Sequence, residues 1–159
     1  MSMIVEKSVA LIVSTLLSIT GLSATVDGCF INVPSLNHTF IVTLSCIDWL
    51  GILLQSFMYT FVMWVYVTAN SRFMRHRTYL ILGLTGFVAF FFTNILRMFT
   101  EIFLIGKVYN SYSQHYLLNW QAFEVQVGLG LMFTTLFILS ILSHFLFKRR
   151  MNKFLFIEN

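Results

Sequence analysis

Charged residues are scarce in this sequence, and their scarcity excludes an ordinary soluble domain. Lys, Arg, Asp and Glu make up 10% of the 159 residues, whereas hydrophobic residues make up 58%. Soluble globular domains carry about 25% charged residues, so most of this chain is suited to a lipid environment. The single proline excludes a proline-rich segment. There is no internal repeat and no evident linker, which predicts one compact unit.

Four apolar stretches are long enough to cross a bilayer, which takes about 20 residues each. They cover residues 8–25, 47–68, 79–105 and 125–147. The first also resembles a signal peptide, because it follows Lys7 and ends in small residues, but its length favours a retained helix. The sequence therefore predicts an all-α membrane protein with about four transmembrane helices in a single domain over residues 1–159.

The basic residues are distributed unevenly around these four helices. An even number of spans places eight of the ten on one side: Lys7, Arg72, Arg75, Arg77, Lys148, Arg149, Arg150 and Lys153. The positive-inside rule then predicts a multi-pass protein of the cell membrane with both termini in the cytoplasm. Because the basic residues are spread over helix ends, the net charge of +4 indicates contact with anionic lipid and no nucleic-acid partner.

The segment VDGCFINVPSLNHTFIVTLSC, residues 26–46, lies on the outer side in this topology. The β-branched and aromatic runs CFINV and TFIVTL flank the turn-like PSLNH, which is typical of a β-hairpin. An irregular loop is the alternative interpretation. We expect a small extracytoplasmic hairpin over about residues 27–45 that leads the chain to Cys46 at the outer mouth of the second helix.

Arg97 is unusual because it lies inside an apolar stretch, FFTNILRMFTEIF. It is the nineteenth residue from Tyr79, so about 27 Å of helix places it at the level of Cys46. Asn94 and Glu101 share its helix face. One interpretation is a structural pair with Glu101, or a side chain that extends to the interface. The other is a functional site that surrounds the guanidinium in place of lipid.

A second outer segment, GKVYNSYSQHYLLNW, carries His115. A cysteine, an arginine and a histidine on one surface form a set suited to acyl transfer. The thiolate attacks a carbonyl, the imidazole moves the proton or holds the thiolate, and the guanidinium steadies the oxyanion or positions the substrate. No two of the four histidines have metal-ligand spacing, so we predict no metal and no other cofactor.

In order and spacing these features resemble the exosortase/archaeosortase family of membrane cysteine transpeptidases. The matching residues, within about 26–118, are TFIVTLSC ending at Cys46, NILR containing Asn94 and Arg97, and SQHY containing His115. The resemblance implies a thiol protease that cleaves a C-terminal sorting signal from membrane-anchored proteins on the outer face. It also implies transfer of the product from a cysteine acyl-enzyme to a lipid or other acceptor. Cys46 would be the nucleophile, with Arg97 and His115 as the other catalytic residues.

Five further residues are candidates for substrate binding or support: Asn94, Asp48, Glu101, Tyr112 and Tyr116. The two tyrosines either line an entrance for the substrate helix or belong to an interfacial aromatic belt. The chain departs from the family pattern after its cysteine, where the family often has Ser-Gly and this sequence has Ile47-Asp48. Many relatives are also longer, with extra helices.

Two other classes of function fit the same residues. A thiol oxidoreductase would form a Cys29–Cys46 disulfide on the oxidising side, although such enzymes usually carry a closer pair such as C-x-x-C. A non-catalytic assembly factor or small transporter would need only a packed bundle, for which the glycines of the helices are suited. A free Cys46 thiol favours the peptidase over the oxidoreductase.

Overall fold

The structure, a computed structural model, describes residues 2–69, 76–108 and 120–155. These residues contain five α-helices and three short β-strands. The helices are α1 (Ser2–Ile19), α2 (Leu44–Ile47), α3 (Trp49–Ala69), α4 (His76–Val108) and α5 (Trp120–Leu155). The strands are β1 (Thr25–Asp27), β2 (Phe30–Val33) and β3 (His38–Ile41), all between α1 and α2. The protein is therefore mostly helical, with one small sheet.

Three stretches of helix in the described residues are long and apolar enough to cross a membrane. They are Leu44–Val67, which contains α2 and most of α3, Thr78–Gly106 in α4, and Phe123–Leu146 in α5. The 18-residue helix α1 is not among them. A membrane protein is therefore supported, but the prediction of four transmembrane helices is not confirmed.

The helices α3 and α4 pack closely and run antiparallel. A Cβ atom at Gly86 of α4 would lie 2.9 Å from Cδ1 of Tyr59 and 3.4 Å from Cα of Ser56, so only glycine fits against α3 at this point. Near the start of α3, Trp49 stacks on Phe87 and Phe91 of α4, with ring centroids 6.2 and 5.8 Å away. These contacts fix the position of the first turn of α3 against α4.

Polar side chains join the last helix, α5, to α3 and α4, beside the partly buried Met132, Leu136 and Leu139, which pack against the core. Of its described side chains, only Ser143 is buried. The contacts pair Arg97 with Glu124, Thr93 with Thr135, Tyr59 with Ser143, and Tyr66 with His144. Since residue numbers rise along α5 while they fall along α4, these two helices are also antiparallel.

The three strands form an antiparallel sheet in the order β1-β2-β3. The predicted hairpin is present as β2 and β3, with Ile31 opposite Phe40 and Val33 opposite His38. A third strand, β1, extends it through a turn at Gly28, whose φ of +64° suits glycine. Ile31 and Val33 are fully buried and belong to the same core cluster as the inner face of α1.

Two contacts fix the direction of α1. Near its start, Glu6 Oε1 accepts a 3.0 Å hydrogen bond from the backbone N–H of Leu44, the first residue of α2. Just after its end, Leu22 covers Gly106 of α4, where a Cβ atom would lie 2.8 Å from the leucine Cδ1. Gly106 lies nine residues beyond Arg97, or about 13 Å further along α4. Hence α1 runs alongside the C-terminal part of α4, toward the same end of the bundle.

Candidate functional site

The site is built around a break in the helix that carries Cys46. The short helix α2 ends at Ile47, and Asp48 adopts the left-handed conformation, with φ of 47° and ψ of 57°. Asp and Asn tolerate this conformation better than other non-glycine residues. The Asp48 carboxylate then accepts a 3.1 Å hydrogen bond from the backbone N–H of Gly51, so Asp48 also caps the start of α3.

Two side chains of α4 satisfy the backbone carbonyls that the break leaves without helical partners. Asn94 Nδ2 donates to the carbonyl oxygens of Cys46 and Ile47, at 2.9 and 2.8 Å. Arg97 Nη2 donates to the carbonyl of Cys46 at 3.2 Å. The last carbonyls of a helix need such partners. Asn94 and Arg97 therefore hold the main chain of Cys46 directly.

The thiol of Cys46 has different neighbours from its carbonyl. Its Sγ lies 3.3 Å from Thr43 Oγ1 and 3.7 Å from the carbonyl oxygen of Ile41. Thr43 Oγ1 in turn lies 2.6 Å from Ser45 Oγ. The side chain of Cys46 is partly exposed, so a small network of hydroxyl groups orients the thiol without enclosing it. The hydrogen bond of Arg97 reaches the backbone of Cys46 and not its sulfur.

The guanidinium of Arg97 lies between two carboxylates. Its Nε is 3.4 Å from Glu101 Oε1 one turn along α4, and its Nη2 is 3.8 Å from Glu124 Oε1 of α5. Glu101 is 5% exposed. Such a carboxylate is tolerated in a low-dielectric interior only with a nearby positive charge or by taking up a proton. The predicted structural pair of Arg97 with Glu101 is therefore present, alongside the contact with Cys46.

A cavity of about 530 Å³ opens beside this cluster, between α3, α4 and α5. Its lining is polar near the helix break and apolar further along the helices. The polar lining residues are Asp48, Gln55, Thr93, Asn94, Arg97 and Glu124. Cys46 itself does not line the cavity, but two lining residues bind its carbonyl. The cavity therefore borders the main chain of the predicted nucleophile.

The structure brings together five of the eight predicted site residues. Cys46, Asp48, Asn94, Arg97 and Glu101 form one connected cluster at the α2–α3 break. The other three, His115, Tyr112 and Tyr116, lie outside the described residues, so their predicted roles stay predictions. Both cysteines have free thiols, which gives no support to a Cys29–Cys46 disulfide. In the described part of the chain, no group of three or more His, Cys, Asp or Glu side chains is suited to a metal.

Sequence reasoning missed four residues of this neighbourhood: Glu6, Thr43, Gln55 and Glu124. Thr43 has a local signal, since it lies three residues before Cys46 at the start of a short helix. Glu124 has one too, as an isolated charge at the edge of an apolar stretch. Gln55 has one as well, as a polar residue inside the apolar stretch 47–68. Glu6 has none, because its contact with Leu44 joins distant segments.

Comparisons of the chain with protein-family models, with curated proteins and with solved structures find no significant match. The functional argument therefore depends on the residues of the site and their geometry.

Proposed function

We propose that this protein is a membrane cysteine transpeptidase of the exosortase/archaeosortase type, with Cys46 as its nucleophile. The observation that carries the proposal is the direct contact of Asn94 and Arg97 with the backbone carbonyl of Cys46. These residues lie about 50 positions apart in the sequence, in two motifs that the resemblance had linked. A side chain that only extends toward the interface does not need to bind the carbonyl of a cysteine. The contacts of Asn94 and Arg97 with Cys46 therefore favour a role in positioning this cysteine.

The conformation of Asp48 supports the same proposal. Where the family often has Ser-Gly after its cysteine, this chain has Ile47 and Asp48, so Asp48 stands at the position of the glycine. Asp48 has φ of 47°, a backbone conformation that glycine adopts without strain. The departure from the family pattern is therefore compatible with the backbone turn that a glycine would make at this position.

In the proposed reaction, the Cys46 thiolate attacks the carbonyl carbon of the scissile peptide bond near the sorting motif. The tetrahedral intermediate collapses to a thioester, and the amine of the leaving segment departs with a proton, for which we propose His115 as the donor. An acceptor nucleophile then attacks the thioester and releases the thiolate. Arg97 serves as a positioning residue, because it holds the Cys46 carbonyl and thereby the direction of the thiol.

We further propose that α3, α4 and α5 cross the membrane, with Cys46 on the outer side and α1 beside the outer part of α4. The basic residues before α4 and at the end of α5 lie on one side in this arrangement, as the positive-inside rule requires. The expectation of two cytoplasmic termini assumed a crossing by α1. The hydrogen bond between Glu6 and Leu44 favours an outer start of α1, because a crossing would separate these residues by the bilayer thickness.

Cysteine labelling tests this topology. In a variant without Cys29 and Cys46, a cysteine placed at Met3, which is 73% exposed, is expected to react with a membrane-impermeant maleimide from outside. A cysteine at Asp27 in β1 is the outer control, and one at Arg150 should react only after permeabilisation. If Met3→Cys behaves like Arg150→Cys, then α1 crosses the membrane and the four-span prediction is correct.

The enzymatic proposal is tested by co-expression with reporter membrane proteins. Each reporter carries a C-terminal signal that consists of a varied short motif, a transmembrane helix and a basic tail. We expect at least one reporter to be cleaved, and Cys46→Ala to lower the cleavage rate about a thousandfold or more, since the nucleophile is lost. The wild-type enzyme should also form a covalent adduct with that reporter that hydroxylamine releases, as expected for a thioester.

Cys29→Ala is the matched control, because Cys29 is also a partly exposed free thiol but lies in the turn between β1 and β2. It should leave the cleavage rate unchanged. Cleavage that persists in Cys46→Ala would rule out the cysteine mechanism. A cellular function that persists in Cys46→Ala would instead favour a non-catalytic assembly factor.

A further inference from the structure

The small outer sheet has an open edge beside Cys46. Among the described residues β3 is the last strand of the sheet, since the order is β1-β2-β3. The backbone N–H of Val42 donates a 2.9 Å hydrogen bond to the carbonyl of Cys29, which lies opposite it when the β2–β3 register is continued by one pair. In an antiparallel ladder, hydrogen-bonded and non-hydrogen-bonded pairs alternate. The backbone groups of Thr39 and Ile41 therefore point away from β2, toward the open edge.

The thiol of Cys46 lies on this same side of β3. Its Sγ is 3.7 Å from the carbonyl oxygen of Ile41, one of the backbone groups that face the open edge. Residues 42–45 alone separate β3 from Cys46 in the sequence. A strand added to this edge would therefore pass directly beside the sulfur.

This edge lacks the usual protection against pairing with another chain. Exposed edge strands commonly carry lysine, proline or a β-bulge, each of which discourages such pairing. Residues 38–41 contain neither lysine nor proline, and they pair with β2 one to one, without a bulge. The opposite edge, β1, has only three residues and ends in the charged Asp27. Of the two edges, β3 is therefore the better template for a further strand.

The exposed face of the sheet offers an apolar contact at the same edge. Phe30 and Ile41 lie directly opposite each other in the register and are 43% and 53% exposed. Side chains of residues paired in this way lie on one face of a sheet, so these two form a small apolar patch next to the open edge. One apolar side chain of a neighbouring strand would cover this patch.

From this geometry we infer that the open edge of β3 binds the substrate as an added strand. The occupant is an extended peptide segment directly followed by a transmembrane helix, as in the proposed sorting signal, so the inference rests on the proposed function. This chain has the same order, because β3 leads through Cys46 into α3. Both chains then enter the membrane from the outer side, and the added strand runs parallel to β3. Its main chain bonds to Thr39 and Ile41, which places its scissile carbonyl beside the sulfur.

A proline at residue 39 tests this edge in the reporter assay. Thr39→Pro removes an N–H that faces the open edge but leaves the ladder with β2 intact, and edge strands tolerate such a proline. We expect the cleavage rate to fall about tenfold, the equivalent of one main-chain hydrogen bond. Alkylation of Cys46 by iodoacetamide at the wild-type rate would show that the surroundings of the thiol are retained.

Val26→Pro is the matched control on the opposite edge. Because Phe30 and Asn32 are the residues of β2 that face β1, the same alternation points the N–H of Val26 away from β2. Proline is similar in size to valine, and this edge lies away from Cys46. The cleavage rate of Val26→Pro should therefore stay within about twofold of the wild-type rate.

Hydrogen exchange of the Cys46→Ala protein, followed by NMR in detergent, tests binding without requiring catalysis. The probe is a reporter whose motif is Thr-Val-Thr-Val-Thr-Val, and its control carries six prolines there, which are extended but have no N–H. The first should slow exchange of the Thr39 and Ile41 amides about tenfold or more, because they face the edge. It should leave the amides of Phe40 and Val42 unchanged, since β2 already holds them. The proline reporter should change none of the four.

The outcomes separate the mode of binding from the reaction. Unchanged exchange of Thr39 and Ile41, or a reporter cleaved at the wild-type rate by Thr39→Pro, would overturn the added strand. Either result is compatible with a Cys46-dependent transpeptidase. Protection of the two amides without cleavage of any reporter by the wild-type protein would support the added strand and contradict the transpeptidase function.

Discussion

Replacing Arg97 with methionine is expected to lower the free energy of unfolding by about 3 to 5 kcal/mol, the range for a buried charge that loses its partner. Methionine keeps much of the volume but removes the positive charge beside Glu101, which is 5% exposed. It also removes one of the donors to the Cys46 carbonyl. The measurement is a titration of the purified protein from mild detergent into SDS, followed by tryptophan fluorescence.

A double variant separates the charge effect from the loss of packing. Adding Glu101→Gln to Arg97→Met removes the uncompensated carboxylate, so about half of the lost stability should return. Lys7→Met is the matched control, since Lys7 is an exposed cation on α1 and should change stability by less than about 0.5 kcal/mol. If Arg97→Met alone is as stable as the wild type, then Glu101 does not depend on Arg97 and the ion pair is absent.

Replacing Asn94 with leucine should cost about 2 to 4 kcal/mol, from two lost hydrogen bonds and an unsatisfied buried carbonyl. Leucine is similar in size but has no donor for the carbonyls of Cys46 and Ile47. Arg97 still reaches the carbonyl of Cys46, whereas that of Ile47 loses the side-chain donor it has in the wild type. The same SDS titration measures the total effect. Hydrogen exchange of the backbone amides over residues 44–52 should also become faster, because the break loses its anchor.

Gln55→Leu provides the comparison for Asn94→Leu. Both substitutions replace an amide that lines the same cavity with an apolar side chain. Only the amide of Asn94 bonds to the helix break, so Gln55→Leu should change both stability and exchange over residues 44–52 much less. Similar losses in the two variants would mean that the cavity as a whole, and not the contact of Asn94 with α2, stabilises the break.

Much of this fold follows from composition and residue pattern. The apolar stretches at 47–68, 79–105 and 125–147 correspond to α3, α4 and α5, and the β-branched runs around PSLNH correspond to β2 and β3. The helices α4 and α5 extend past the predicted stretches, because hydropathy measures only the part suited to lipid and not where helical hydrogen bonding ends. The sequence does not predict the strand β1, since its three residues carry little pattern.

The parts that could not be predicted depend on contacts between distant segments. Mean hydropathy is averaged over many residues around Asp48. The break between α2 and α3 therefore cannot be seen in a hydropathy pattern. Counting residues along the helix predicts that Arg97 lies at the same depth as Cys46. The hydrogen bond of Arg97 to the Cys46 carbonyl agrees with this prediction. The hydrogen bond of Glu6 to Leu44 had no signal, because 38 residues separate the two and Glu6 belongs to no motif.

The sparse burial of α5 has a consequence for how firmly this helix is attached. Lipid chains are as apolar as leucine, so the hydrophobic effect does not hold one membrane helix against another. With only Ser143 buried among its described side chains, α5 is retained by the partly buried Met132, Leu136 and Leu139, which pack against the core, and by a few polar contacts. These polar contacts involve hydroxyl, imidazole and carboxylate groups, and each is worth about 0.6 to 2 kcal/mol. By contrast, the tight packing at Gly86 holds α3 and α4 together. Dissociation of the bundle should therefore begin with α5, while the pair formed by α3 and α4 stays intact.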